Sequence, residues 1–287
     1  MPELPEVEVV KQSLEKYIVN KRLLKIVVRI KKLRFHVPKN LSKKLSKLKI
    51  LEVKRISKYV VIHFEYDFFL VIHLGMSGTL HLIKNKDSIK NTNLSFYHSK
   101  NLPKKHNHIF FYFNEFKIIY NDPRKFGFIK LFKEEKNLST YFSKLGPDPF
   151  EKNFNFTYVK KYLLKKNKNI KNTLLDQNFI SGIGNIYASE ILNCSKINPF
   201  KSSCTLNNEE INKIIFFTKK ILKLSIKRGG STINNFHSIK GNLGNYQKEF
   251  RVYAKDNYRC KNKNCIGLII KQNISNRSTY MCNICQK

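Results

Sequence analysis

Near its C-terminus the chain carries four cysteines in two pairs, Cys260-x4-Cys265 and Cys282-x2-Cys285, separated by a stretch of hairpin length. No other feature constrains the local fold as tightly. Two such pairs can close a tetrahedral Zn²⁺ site, and so few residues could not build a core without it. Four thiolates also suit an iron–sulfur cluster. The β-like segments Leu268–Ile270 and Thr279–Met281 point instead to a zinc-bearing hairpin, with one structural Zn²⁺ on Cys260, Cys265, Cys282 and Cys285. Arg259, Lys261, Lys263, Lys271 and Arg277 run through the module and would present positive charge to phosphates. Cys194 and Cys204 are not placed like a disulfide framework, so a reducing, intracellular setting fits best.

Upstream, the texture changes twice. Val7 to Tyr17 has apolar residues near helical spacing and reads as a helix. From Leu23 to about Phe132 the chain turns to short β-branched and aromatic runs: Ile26–Ile30, Tyr59–Phe64, Phe68–His73, Ile109–Phe113 and Phe116–Tyr120. Asn114-Glu115 between the last two reads as a hairpin turn. These runs predict a mostly antiparallel β domain of two packed sheets. Asn85 to Lys105 is polar and without period, an expected exposed loop. Gly146-Pro147-Asp148-Pro149 marks a boundary. Beyond it, Tyr158–Lys165, Ile170–Gln177, Ile186–Leu192 and Asn208–Ser225 read as helices, and Gly229 to about Gln247 as a mobile segment.

The formal net charge is +35, from 55 Lys plus Arg against 20 Asp plus Glu. Such an excess calls for a polyanionic partner, nucleic acid first and an anionic membrane surface second. Part of it is background, because Lys, Asn and Ile are abundant wherever no motif fixes the position, as an AT-rich genome would produce. No segment approaches the roughly 20 apolar residues of a membrane span, and the N-terminus lacks the layout of a secretory signal.

The chain begins Met1-Pro2-Glu3-Leu4-Pro5-Glu6-Val7-Glu8. If Met1 is removed, Pro2 becomes a secondary amine. An α-amino group titrates near pH 8, so a useful fraction is nucleophilic at neutral pH. Glu3 and Glu6 would set carboxylates beside it, as amine chemistry on an electrophilic carbon needs. The same residues also read as an acidic start to the first helix, with proline in its first turn. A second motif, Gly182-Ile183-Gly184-Asn185, allows tight turns and places Asn185 where a helix N-cap belongs. Backbone N–H groups at such a turn bind phosphate, although an ordinary helix connection uses the same residues.

Taken together, the motifs resemble formamidopyrimidine-DNA glycosylases. The matching elements are the Pro2–Glu8 start, Ser57-Lys58-Tyr59, His73-Leu74-Gly75-Met76-Ser77-Gly78, Asp122-Pro123-Arg124-Lys125-Phe126-Gly127, the glycine turn and the terminal cysteines. They are collinear and span essentially the whole chain. Leu4 favours this family over its endonuclease VIII-type sister. The resemblance implies an α+β chain: an N-terminal β-sandwich domain (1–135), a helical domain with a helix–two-turns–helix motif (136–235), and a lesion loop with a C-terminal zinc-finger β-hairpin (236–287). It implies a monomeric, cytoplasmic enzyme acting on double-stranded DNA that contains oxidised purines or abasic sites. Such an enzyme removes the base and then cuts the strand by β,δ-elimination.

Carried over residue by residue, Pro2 is the nucleophile, Glu3 the acid that protonates the sugar ring oxygen, and Glu6 a support to that network. Lys58 assists β-elimination and Arg277 δ-elimination. Met76, Arg124 and Phe126 fill the gap left by the flipped base, with Arg124 reading the orphaned cytosine. Without the resemblance, Met76 and Phe126 would count as core residues, and Lys58 and Arg277 as solvated cations. His106, Lys166, Lys171 and Asn185 match phosphate contacts, with His108 one register away from His106. The first cysteine pair has four intervening residues where two is commoner in the family, which predicts a looser knuckle. Lesion selectivity is expected near Phe236–Gln247. Two other readings use part of the same pattern: a non-catalytic damaged-DNA binder on this scaffold, and a zinc-ribbon RNA-binding protein. The second leaves the N-terminus and Asp122–Gly127 unexplained, and a binder has no need of an N-terminal amine.

Overall fold

The computed structural model describes residues 1–84, 104–231 and 245–287, and the backbone of Thr92–Asn93. Most of the expected loop at 85–105 and of the stretch at 236–247 lies outside the described residues. The chain forms two compact units, one of Met1–Ser143 with Arg228–Gln247, the other of Lys144–Lys227 with Lys248–Lys287.

The first unit opens with helix α1 (Leu4–Ile18), three residues earlier than its apolar spacing suggests. The cause is local: Pro5 suits the first turn, where no N–H partner is needed, and the Glu6 carboxylate accepts the Glu3 N–H at 2.9 Å. Val7, Val10, Leu14 and Ile18 form its buried stripe, each at most 1% exposed. Burial of this kind contributes roughly 1.5–3 kcal/mol per side chain and holds the helix on the β-sandwich.

After α1 come β1 (Lys25–Val28), α2 (Leu41–Leu45), β2 (Ile50–Ile56), β3 (Tyr59–Phe64), β4 (Phe68–His73), β5 (Thr79–Lys84), β6 (Thr92–Asn93), β7 (Asn107–Tyr112), β8 (Phe116–Asn121), β9 (Phe128–Lys133) and α3 (Glu135–Phe142). One sheet has the order β1-β7-β8-β5-β6 and the other β2-β3-β4-β9, every pair antiparallel. The two-sheet expectation holds. At the β7–β8 turn the Phe113 N–H donates to the Phe116 carbonyl at 2.8 Å, across Asn114-Glu115. Ile62, Leu70, Ile72, Leu80, Ile109, Phe111 and Ile118 fill the core beneath α1. The helices α2 and α3 are absent from the sequence reading; α2 is a single turn whose buried anchors are Leu41 and Leu45.

The second unit carries α4 (Phe156–Leu163), α5 (Ile170–Leu175), α6 (Asn185–Ser195), α7 (Asn208–Lys227) and the hairpin β10 (Ile269–Ile274)–β11 (Arg277–Cys282). Asn155 and Asn169 cap α4 and α5, accepting the Tyr158 and Asn172 N–H groups at 3.0 and 2.8 Å. The hairpin turns at Ser275-Asn276, both left-handed (φ 48° and 60°), the geometry that matches strand twist. Helix α6 is capped by Gly184 rather than Asn185, which is itself the first helical residue and whose Nδ2 bonds the hairpin. Among the described residues, no helix is long and apolar enough to cross a membrane.

Candidate active site and nucleic-acid interface

In the first unit the N-terminal residues gather charged groups in a buried setting. Glu3 and Glu6 are each 3% exposed and Lys58 is 7% exposed. Glu6 is held at both oxygens: Oε1 accepts the Ser231 N–H and hydroxyl, both at 2.8 Å, and Oε2 accepts the Glu3 N–H at 2.9 Å. Gly230 lies against Glu6 with φ +79°, so a side chain there would be both strained and crowded. Lys58 sits in the tight turn between β2 and β3, beside left-handed Ser57. That turn is braced by Arg55, whose Nε donates to Glu8 Oε2 at 2.7 Å and whose guanidinium also donates to the Ser57 carbonyl at 3.1 Å. Burial lowers the pKa of the Met1 terminal ammonium; Glu3 and Glu6 oppose the shift, and Lys58 and Arg124 reinforce it. Five of the sequence-predicted groups therefore act on one amine or lie next to it in the chain.

Two loops of the same unit carry the three residues expected to fill a vacated base position. Met76 and Phe126 are 41% and 44% exposed, so they are not core residues. The Arg124 guanidinium lies over the Phe126 ring, 4.7 Å from its centre. Of the neighbouring histidines, His108 is buried with Nε2 2.9 Å from the Asp122 carbonyl, whereas His106 is partly accessible. Burial, followed by the neighbouring Lys105, His108 and Lys125, lowers the pKa of His106. His73 is buried with its pKa lowered to about 4, first by burial and then by Lys58 and Arg34. Its Nδ1 accepts the Gly75 N–H at 3.1 Å, which needs that nitrogen unprotonated.

In the second unit, Lys171 and Asn185 converge on the hairpin. The Lys171 ammonium is fully buried and donates to Thr279 Oγ1 at 2.6 Å and the Ser278 carbonyl at 3.1 Å; Asn185 Nδ2 donates to the same carbonyl at 2.9 Å. They thereby fix the strand whose first residue is the exposed Arg277. Lys166 lies apart, its ammonium 4.8 Å from the centre of the Tyr162 ring. Gln177 shapes the glycine turn, accepting the Gly182 N–H and donating to the Ile183 carbonyl, each at 2.9 Å.

The four cysteine sulfurs lie within 4.8 Å of one another, with Cys260–Cys285 at 3.7 Å and Cys265–Cys282 at 3.5 Å. A tetrahedral ion with 2.3 Å bonds to sulfur needs S···S edges of about 3.8 Å, so the donor set fits Zn²⁺. The long first knuckle is not loose. Its extra residues supply buried Asn262, whose Nδ2 donates to Cys285 Sγ and the Asn193 carbonyl, both at 3.1 Å, and whose Oδ1 accepts from Arg251 at 2.8 Å. The buried Glu190 carboxylate accepts the N–H groups of Arg251, Val252 and Tyr253, tying the entry to the module onto α6.

Comparison with known proteins agrees with this geometry. Residues 1–129 match the formamidopyrimidine-DNA glycosylase N-terminal domain, and residues 145–237 match the formamidopyrimidine-DNA glycosylase H2TH domain. The chain is 36% identical to the formamidopyrimidine-DNA glycosylase of Rickettsia bellii and 37% identical to that of the Wolbachia of Brugia malayi, over 100% of each chain. Among solved structures it is similar to a Lactococcus lactis FPG mutant in complex with Fapy-dG-containing DNA, with TM-score 0.88, 32% identity and 100% of both chains covered. It is also similar to MutM in complex with DNA containing carbocyclic 8-oxo-G, with TM-score 0.86, 32% identity and 100% of both chains covered. The class is thus that of base-excision repair DNA glycosylases. Within it, the chain belongs to the formamidopyrimidine-DNA glycosylase family.

Several residues of these sites went unread in the sequence. Ser231 reaches Glu6 across 225 positions, and the one local signal was the Gly229-Gly230 pair before it. Arg55 and Gln177 had no motif to mark them. Asn262 was hidden inside an unusual spacing.

Proposed function

We propose that this glycosylase excises oxidised purines, 8-oxoguanine and formamidopyrimidines, from duplex DNA and then cleaves the abasic strand. The observation that carries this reading is the burial of Pro2 together with Glu3, Glu6 and Lys58 at the start of the chain, with Glu6 held in place by Ser231. Once Met1 is removed, the Pro2 nitrogen lone pair attacks C1′ of the flipped nucleotide. The glycosidic bond breaks, and the base leaves with that electron pair and takes up a proton. Glu3 delivers a proton to the ring oxygen as the sugar opens, and loss of the nitrogen proton leaves an iminium. Withdrawal of a 2′ proton then expels the 3′ phosphate, assisted by Lys58, and a second elimination expels the 5′ phosphate, assisted by Arg277. Water hydrolyses the imine and restores Pro2.

Met76, Arg124 and Phe126 take the place of the flipped base. His106, Lys166 and Asn185 serve the phosphates, whereas the fully buried Lys171, expected to contact phosphate itself, acts only by fixing the hairpin of Arg277, which Asn185 also braces. Cys260, Cys265, Cys282 and Cys285 would hold one Zn²⁺, whose part is to fold the hairpin and not to react. Segments 1–135, 136–235 and 236–287 would then be the catalytic, helical and finger parts of a cytoplasmic monomer.

Borohydride trapping on an 8-oxoguanine duplex tests the reading. A covalent adduct that disappears when Met1 is retained is expected. No adduct with a folded, Met1-free protein would leave a damaged-DNA binder instead.

A further inference from the structure

Met76 lies on one loop of the first unit, and Arg124 and Phe126 on another. Between the loops sits Asp122, 0% exposed. Its Oδ1 accepts the Ser77 hydroxyl proton. Its Oδ2 accepts the Gly127 N–H at 2.8 Å and the Tyr120 hydroxyl at 3.2 Å. Ser77 also accepts the Arg124 N–H at 3.1 Å. Its single oxygen, on the Met76 loop, therefore accepts from Arg124 and donates to Asp122 at the base of the loop that carries Arg124 and Phe126. The Asp122 N–H donates to the His106 carbonyl at 3.1 Å, which extends the anchoring to the proposed phosphate-contacting histidine. Burial, followed by the Asp122 charge, raises the Tyr120 pKa well above the usual range and so keeps that donor protonated.

The backbone around this network leaves little room for adjustment. A Cβ on Gly75 would overlap the backbone of Phe126 and Gly127, and one on Gly127 would overlap the Tyr120 hydroxyl. The loops are in backbone contact where those glycines meet. Such packing moves as a unit or not at all. A buried carboxylate with hydroxyl and amide donors is costly to disturb, because the group left behind loses its partner in a dry setting.

We propose that Asp122 and Ser77 are positioning residues that hold Met76, Arg124 and Phe126 as one preformed wedge, so that opposite-base discrimination depends on a carboxylate and a hydroxyl that never touch DNA. The inference rests on the proposed roles of those three residues.

The test is single-turnover excision of 8-oxoguanine opposite cytosine and opposite adenine, with 2-aminopurine fluorescence beside the opposite base as a readout of wedge insertion. Ser77→Ala should lower the cytosine-over-adenine ratio by up to about tenfold, the equivalent of one buried hydrogen bond. It should also cut the fluorescence rise at saturating protein. Ser77→Thr, which keeps the hydroxyl, should restore most of both. Asp122→Asn should behave like Ser77→Ala, and if it does not fold, the alanine and threonine pair decides alone. An unchanged ratio and unchanged fluorescence in Ser77→Ala would overturn the proposal, as would a threonine variant no better than alanine. Wild-type borohydride trapping is read separately, so a failure of the glycosylase–lyase reading is not mistaken for a failure of the wedge.

Discussion

Glu6 is the buried group whose contribution can be worked most directly. Its carboxylate accepts hydrogen bonds that include two from Ser231 and one from the Glu3 N–H. Glu6→Gln keeps the volume and removes the charge. The amide can keep its carbonyl toward Ser231, where two donors wait, but its NH2 then faces the Glu3 N–H. One buried backbone donor is left unpaired, at about 1–3 kcal/mol, and the Ser231 bonds fall from charge-assisted to neutral strength. A total near 3 kcal/mol is expected. Ser231→Ala removes one charge-assisted bond in the wild type, about 1.5–3 kcal/mol, but a neutral bond of about 0.5–1.5 kcal/mol in the Gln background. A double-mutant cycle should therefore show a coupling of about 1 kcal/mol. The chain has no tryptophan, so urea melts of the four proteins are best followed by circular dichroism. If the Ser231→Ala cost is the same in both backgrounds to within ~0.3 kcal/mol, the carboxylate–serine contact is not what holds Gly230-Ser231 against α1.

Four further outcomes are expected. Arg124→Ala should largely abolish the preference for cytosine over adenine opposite the lesion, because guanidinium offers donors where cytosine offers acceptors; the wrong contact costs roughly 1–3 kcal/mol, and a surviving ratio in single-turnover assays would place the reading elsewhere. The folded pKa of His73, about 4, lies below its unfolded value of 6.5, so its contribution is fully present above pH 6.5 and is lost as pH falls toward 4. That amounts to about 3 kcal/mol, and His73→Asn should flatten the stability–pH curve in this window; a parallel curve for the variant would refute it. Cys282→Ser should lose the one metal found by elemental analysis, while Asn262→Ala should keep it but release it faster to a chelator; equal release rates would remove Asn262 from the metal's support. Lys166→Ala should weaken binding to damaged and undamaged duplexes alike and lower the slope of log K against log salt by up to about one unit, and an unchanged slope would remove it from the phosphate contacts.

Fold class was legible because its signals are local. Runs of β-branched and aromatic residues mark β3, β4, β7 and β8, and apolar residues at helical spacing mark α1. The cysteine pairs announce their hairpin for the same reason. The helices α2 and α3 were not legible, since neither has enough turns to show a period. Met76 and Phe126 show a deeper limit. Hydrophobicity alone assigns them to the core, yet both are exposed, held out by loops whose shape depends on Asp122 and paired glycines. The knuckle at Cys260–Cys265 shows the reverse case. An extra length that suggested slack is taken up by one asparagine, and only three dimensions reveal that Arg251, Asn193 and Cys285 meet there.

The lysines make the same point about charge. In a chain with an excess of +35, an exposed lysine carries almost no information, because composition alone would put one there. Burial changes that. Removing an ammonium from water is costly unless partners compensate, so a buried lysine persists where its position matters. Lys58 and Lys171 are 7% and 0% exposed. The first acts on the terminal amine, and the second bonds the hairpin strand that begins with Arg277. Codon bias accounts for lysine at the surface, but it does not account for these two. The resemblance had singled out both, along with Lys166, without any knowledge of burial, and among the described lysines burial separates these two from the rest. Burial therefore says more about these two positions than the net charge does: Lys58 is buried in the turn between β2 and β3, and Lys171 holds the hairpin that begins with Arg277.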